Sequence, residues 1–98
     1  MIELIEANGP GVEFYNSRLP ASGWAIRHHH MGYVVPNAPA WADLRERQEK
    51  AGARILLEGG SDDFLRYCYY KGEALGHYLE FFLISDNGLR FFEQLPSY

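Results

Sequence analysis

The sequence predicts an α+β domain, with one main helix packed on a mixed sheet and its elements in the order β-α-β-β-β. Three observations predict it. The chain has 98 residues, enough for one domain. Its 47% apolar and 22% charged residues are the balance of a chain that folds around a core. One well-capped helical stretch stands among short β-forming runs that end at Gly, Pro or Asn.

The first run, Met1 to Ala7, is rich in Ile and Leu and ends at Asn8-Gly9-Pro10-Gly11, so it reads as an N-terminal strand followed by a turn. It has no hairpin partner upstream and must pair with something distant. Val12 to Trp24 is broken by Pro20 and Gly23 and reads as a connector, with a helical turn around Glu13 to Arg18. Arg27 to Val35 contains Tyr and Val and stops before Pro36, which suits a strand.

The helix is expected over Ala38 to Ala51. Asn37 can cap it, and Pro39 falls in the first turn, where a missing N–H is harmless. Trp41, Leu44, Gln48 and Ala51 form one stripe, with Trp41 in the core, and Glu46 and Lys50 pair on the other side. Gly52 ends the helix. Three strands follow: Arg54 to Glu58, Phe64 to Lys71, and His77 to Ser85. Leu89 to Leu95 reads as a short helix before Pro96. One helix covers only one face of such a sheet, so the other face must meet solvent, a partner or a ligand.

Composition excludes several functions. The formal charge of −4, from 9 basic and 13 acidic residues, argues against a nucleic-acid partner. There is no apolar run near the roughly 18–20 residues of a membrane helix and no signal-peptide pattern, so a cytoplasmic protein without a membrane partner is expected. Cys68 is the single cysteine, which rules out an internal disulfide and a Cys-based zinc site within one chain. It reads as inert filling.

Alternation places His28, His30, Gly32 and Val34 on one face of their strand, and His29, Met31, Tyr33 and Val35 on the other. On the last strand Tyr78, Glu80, Phe82 and Ile84 share a face. Glu80 is thus a carboxylate inside an apolar row, where it needs a cation, a metal or several donors. Glu3 sits in a similar way beside Ile5. Imidazole and carboxylate suit Zn, Mn, Fe, Ni or Co. The spacing of Glu3, His30 and Glu80 is not a compact ligand motif. A strand Glu also pairs with Lys or Arg, and a His run also serves as a polar edge. His28 and His29 read as bystanders and His77 as solvent-facing. Tyr67, Tyr69, Tyr78 and Phe82 can line a ligand cavity or be ordinary core and interface aromatics.

The stretch from His28 to Asn37, His-His-His-Met-Gly-Tyr-Val-Val-Pro-Asn, resembles the first strand of a vicinal oxygen chelate module. This is the superfamily of glyoxalase I, methylmalonyl-CoA epimerase, extradiol dioxygenases and the bleomycin and fosfomycin resistance proteins. Lys50-Ala51-Gly52-Ala53-Arg54-Ile55 resembles the end of that module's helix, and Leu75 to Phe82 resembles its last strand. The resemblance implies one domain over residues 1–98. Residues 1–23 would be the last strand and linker of a preceding module, 24–85 a complete βαβββ module, and 86–98 a C-terminal tail.

It also implies a divalent metal ion (Zn, Ni, Co, Mn or Fe) held by Glu3, His30 and Glu80, with Glu80 as the catalytic carboxylate. A further His ligand of two-module relatives lies in strands this chain lacks, so a homodimer is expected to rebuild the family's cup-shaped sheet. The function expected from the resemblance is metal-dependent chemistry on a small molecule with vicinal oxygens, of isomerase, lyase, epimerase or dioxygenase type. A second reading is a metal-free protein that sequesters a small molecule, of the bleomycin-resistance kind. It suits a short acidic chain with 15% aromatics and a Tyr-rich strand. A third is a truncated metal-free remnant.

Overall fold

Seven elements follow one another along the chain: α1 (Glu13–Asn16), β1 (His30–Val35), α2 (Ala38–Lys50), β2 (Ile55–Gly60), β3 (Leu65–Gly72), β4 (His77–Ile84) and α3 (Asp86–Glu93). They come from a computed structural model that describes residues 1–72 and 74–96. Ser97 and Tyr98, the end of the expected tail, lie outside the described residues. The fold is α+β, and its central part has the expected β-α-β-β-β order.

The four strands form one mixed sheet in the order β1-β4-β3-β2. β1 runs parallel to β4, while β3 runs antiparallel to both β4 and β2. The chain therefore leaves β1, crosses the sheet through α2 to the far edge, and returns by two hairpin steps to lie beside β1. This brings residues near 30 and near 80 onto adjacent strands.

Local chemistry explains α2. The Asn37 side chain accepts a hydrogen bond from the Ala40 N–H at 2.9 Å, satisfying one free donor of the first turn. Pro39 occupies that turn, and Gly52 closes the helix at φ +74°, a conformation that suits glycine. Lys50 and Glu46 pair one turn apart. Trp41 faces the sheet with Leu44 and joins Val35, Cys68 and Tyr70 in the core, against which Ile55, Phe81 and Leu83 pack. Ala51 is exposed. Because few other residues are buried, Trp41 is a large share of this core, and truncating such a side chain costs about 3–5 kcal/mol.

Several boundaries move. β1 begins at His30 rather than Arg27, and β2 extends through Gly59 and Gly60. α3 runs from Asp86 to Glu93 rather than from Leu89 to Leu95, because Ser85 caps it by accepting from the Gly88 N–H at 3.1 Å.

The expected N-terminal strand is not formed. Residues 1–8 carry no strand structure, and Met1, Ile2 and Leu4 are 96%, 90% and 85% exposed. The segment forms no ladder with β1 or β2, the two edges of the sheet, and a single extended segment without a partner is not a strand. Among the described residues, no helix is long and apolar enough to cross a membrane.

Candidate functional site

The sheet face turned away from α2 carries the chemistry. His30 and Gly32 of β1, Glu80 and Phe82 of β4, and Tyr67 and Tyr69 of β3 meet there. The register sets this: Gly32 pairs with Glu80, Tyr69 with Glu80, and Tyr67 with Phe82. α1 folds over one end of the face. Phe14 stacks on Tyr78 at 4.7 Å between ring centroids and meets Tyr69 edge-on at 5.1 Å. Tyr69 is buried under this cover.

Three chemically active side chains converge beside it. His30 Nε2 lies 3.3 Å from Glu80 Oε2 and 3.7 Å from Glu3 Oε2. The side chains of His30 and Glu80 are 11% and 16% exposed, whereas that of Glu3 is 66% exposed. The carboxylate in an apolar row thus finds polar company: Glu80 hydrogen-bonds to His30 and to the Tyr69 phenol. The Glu80 hydrogen bond raises the His30 pKa above its ordinary value, against the opposing pull of burial. Burial, then the Glu80 charge, pushes the Tyr69 phenol far up, so it stays protonated and can donate.

His29 belongs to this cluster as well. Strand alternation assigns it to the opposite face, but β1 starts only at His30, so the His29 ring is free to turn back. It lies 5.0 Å from the Phe14 ring, 5.1 Å from Tyr15 and 5.0 Å from Tyr78. Its Nε2 donates to the Phe14 carbonyl at 3.3 Å, and its Nδ1 faces His30 Nδ1 at 3.0 Å. Burial lowers its pKa, so this imidazole is neutral where a free one would start to charge. Arg18 lies over the Tyr78 ring at 5.6 Å and donates to the Gly76 carbonyl.

The other candidates sort as follows. Tyr67, Tyr69, Tyr78 and Phe82 all lie on or beside this face, and none of them lines either of two hollows found elsewhere on the chain. One hollow, of 250 Å³, lies at the end of the sheet near Asn37, Arg66 and Ser85; another runs between α2 and β2. His28 is set apart, its ring 4.6 Å from that of His77. His77 is half-buried rather than solvent-facing, and its Nε2 has no hydrogen-bond partner among the described residues. Phe14, Tyr15 and His29 join the site although the sequence pattern does not place them there. The aromatic pair on a short helical turn was the available signal.

One imidazole and two carboxylates form a donor set suited to a divalent ion. Ligands about 2.0–2.2 Å from zinc lie roughly 3.0–3.5 Å from each other, close to the separations around His30. As they stand, His30 hydrogen-bonds to Glu80, and Glu3 lies beyond hydrogen-bond reach of His30 at 3.7 Å. Among the described residues, no three His, Cys, Asp or Glu side chains surround a point where an ion would sit. An ion would have to enter by displacing the proton between His30 and Glu80. No family model, curated protein or solved structure matches this chain.

Proposed function

We propose that this chain is a glyoxalase-like module of the vicinal oxygen chelate type. In this reading it pairs with a second copy and acts on a small molecule bearing two adjacent oxygens at a divalent ion held by Glu3, His30 and Glu80. One observation carries the reading. Two carboxylates, Glu3 of the N-terminal segment and Glu80 of β4, lie within 3.7 Å of His30 Nε2 on the open face of the sheet. The sequence resemblance assigns the same three residues independently of any distance.

The pairing rests on β1. Among the described residues it is an edge strand with no neighbour on its outer side, and Met31, Tyr33 and Val34 along it are exposed. An edge of this kind is suited to cover by a second copy.

When bound, the ion supplies Lewis acidity to the oxygens it holds. The chain supplies the rest. Tyr69 donates to Glu80 and fixes its carboxylate toward His30. Phe14, Tyr78 and Phe82 offer apolar walls that keep water from the reacting carbon. Glu3, the most exposed of the three and on a segment outside the sheet, would be the carboxylate available to take a proton.

The test is a native mass spectrum of the purified protein with zinc, nickel or manganese, with and without chelator. A dimer that carries metal, and loses it in Glu80→Gln with its circular dichroism unchanged, is the expected result. A monomer that stays metal-free at saturating ion overturns the reading. A metal-free dimer that binds small aromatic ligands favours sequestration instead.

A further inference from the structure

We infer that residues 24–28, Trp-Ala-Ile-Arg-His, add as a strand to the outer edge of β1 in a second copy, about a two-fold axis at His29, and that the partner's Trp24 and Ile26 thereby wall the open face of the site. The inference rests on the pairing in the reading above and is independent of the metal.

Surface area comes first. The chain exposes 7623 Å². A folded chain of this mass exposes about 5,700 Å², so roughly 1,900 Å² is in excess. A standard protein–protein interface takes about 800 Å² from each partner, well within that excess. Part of the excess is apolar and adjoins the β1 edge. Trp24 is 86% and Ile26 69% exposed, on a stretch, residues 24–29, that carries no helix, strand or turn. Exposed Met31, Tyr33 and Val34 follow on β1 itself.

The β1 backbone sets the register. The Tyr78 N–H donates to the His29 carbonyl at 2.9 Å. Odd-numbered residues here therefore turn their N–H and C=O toward β4, and His30, Gly32 and Val34 turn theirs outward. An antiparallel strand must meet that row with alternate residues. Pairing about His29 does so: the partner's His28, Ile26 and Trp24 face His30, Gly32 and Val34. Directly opposed residues share a face, so these side chains fall on the open face. Large meets small there. The partner's Ile26 comes beside Gly32, against the Phe82 ring that leans over it. The partner's Trp24 comes beside Val34, whose ladder neighbour is Phe82. On the other face the partner's Ala25 leaves room for Tyr33.

This is the end of the face that α1 leaves bare, since Phe14 covers Tyr78 and Tyr69 instead. In its own chain Trp24 lies before the start of β1, while Val34 lies near the far end. At about 3.3 Å per residue, His30 and Val34 are roughly 13 Å apart. Antiparallel pairing reverses the direction and brings the partner's Trp24 to that far end.

Pairing of β1 with β1 about Gly32 is the competing arrangement, and it leaves Trp24 and Ile26 uncovered. Disulfide trapping separates the two. Opposed Cα atoms of a non-hydrogen-bonded antiparallel pair lie about 4.5 Å apart, within disulfide reach. Ala25 and the partner's Tyr33 form such a pair in the inferred register. A chain carrying both Ala25→Cys and Tyr33→Cys should oxidise to a covalent dimer on a non-reducing gel, and neither single variant should. Cys68 is buried and takes no part.

Tryptophan emission of the wild type gives a second readout. Trp41 is buried within the chain, so the change on pairing reports Trp24. As concentration crosses the monomer–dimer transition found by sedimentation, emission should move to shorter wavelength and iodide quenching should weaken. A dimer whose tryptophan stays as quenchable as in the monomer overturns the inference but not the pairing. So does a folded double variant that dimerises without an interchain disulfide, or a covalent dimer of Tyr33→Cys alone. A chain that sediments as a monomer at every concentration overturns both. Should the cysteine variants fail to fold, wild-type emission still decides.

Discussion

Gly32 stands opposite Glu80 in the parallel ladder between β1 and β4, and the Phe82 ring, with the Glu80 carboxylate beside it, occupies the space a side chain there would need. A Cβ at Gly32 would lie 2.8 Å from Phe82 Cε1 and 3.3 Å from Glu80 Oε2. His30, one step along the same face, pairs with Tyr78 rather than Glu80, so its contact with Glu80 is diagonal and crosses the space above Gly32. The absence of a side chain at Gly32 is what lets the imidazole and carboxylate meet.

Gly32→Ala should therefore damage the site and the fold together. The Phe82 ring must swing aside and Glu80 must draw back from His30. Overpacking of this kind costs about 1–3 kcal/mol, and the half-buried Phe82 places this case near the lower end. Urea denaturation should show a lower midpoint with an unchanged slope. Zinc affinity should fall in the same variant. A variant as stable as the wild type, with its affinity intact, would show that the close approach is unimportant.

The parts of this fold written in short-range chemistry were legible in the sequence. Asn37, Pro39 and Gly52 mark the ends of α2 without reference to anything distant. The apolar row around Glu80 announces a carboxylate in need of partners, and it has them in His30 and Tyr69. What was not legible depends on where a pattern stops. Strand alternation assigns His29 to the helix-covered face, but alternation holds only within a strand, and β1 begins one residue later. Phe14 and Tyr15 reach the site through the path of a connector, which no periodicity records. The N-terminal run has strand composition, yet a strand is made by pairing, and among the described residues neither edge strand, β1 or β2, pairs with it.

Alkaline pH should destabilise the fold. Burial is the largest cause of the raised pKa values of Cys68, Tyr15, Tyr69 and Tyr70. Each group holds its proton more tightly when folded than the ordinary values of 9.0 for Cys and 10.0 for Tyr. A raised pKa contributes stability in full below the unfolded value, and that contribution is lost as pH rises toward the folded value. The urea midpoint should hold up to about pH 8 and fall steadily toward about pH 11. Tyr69 is shifted furthest, so the fall should be shallower in Tyr69→Phe whatever that variant's stability at neutral pH. A midpoint constant across this range would contradict the burial of these groups.

Deleting residues 1–6 should separate stability from site chemistry. The segment is exposed and outside the sheet, and its described tie to the rest of the chain is Glu3 to His30 at 3.7 Å. A pair with one partner so exposed contributes at most about 1 kcal/mol, so thermal unfolding should change little. Ala7 must be kept, because its carbonyl accepts from Asn16 Nδ2 at 3.2 Å and anchors the start of α1. Zinc affinity should nevertheless fall, and by as much as in full-length Glu3→Gln, since both variants remove the same carboxylate and leave His30 and Glu80 in place. Isothermal titration of the two variants beside the wild type makes the comparison. If the deletion weakens binding far more than Glu3→Gln does, then the exposed Ile2 and Leu4 do more than carry Glu3. Sedimentation would then show whether the loss follows the dissociation of a dimer.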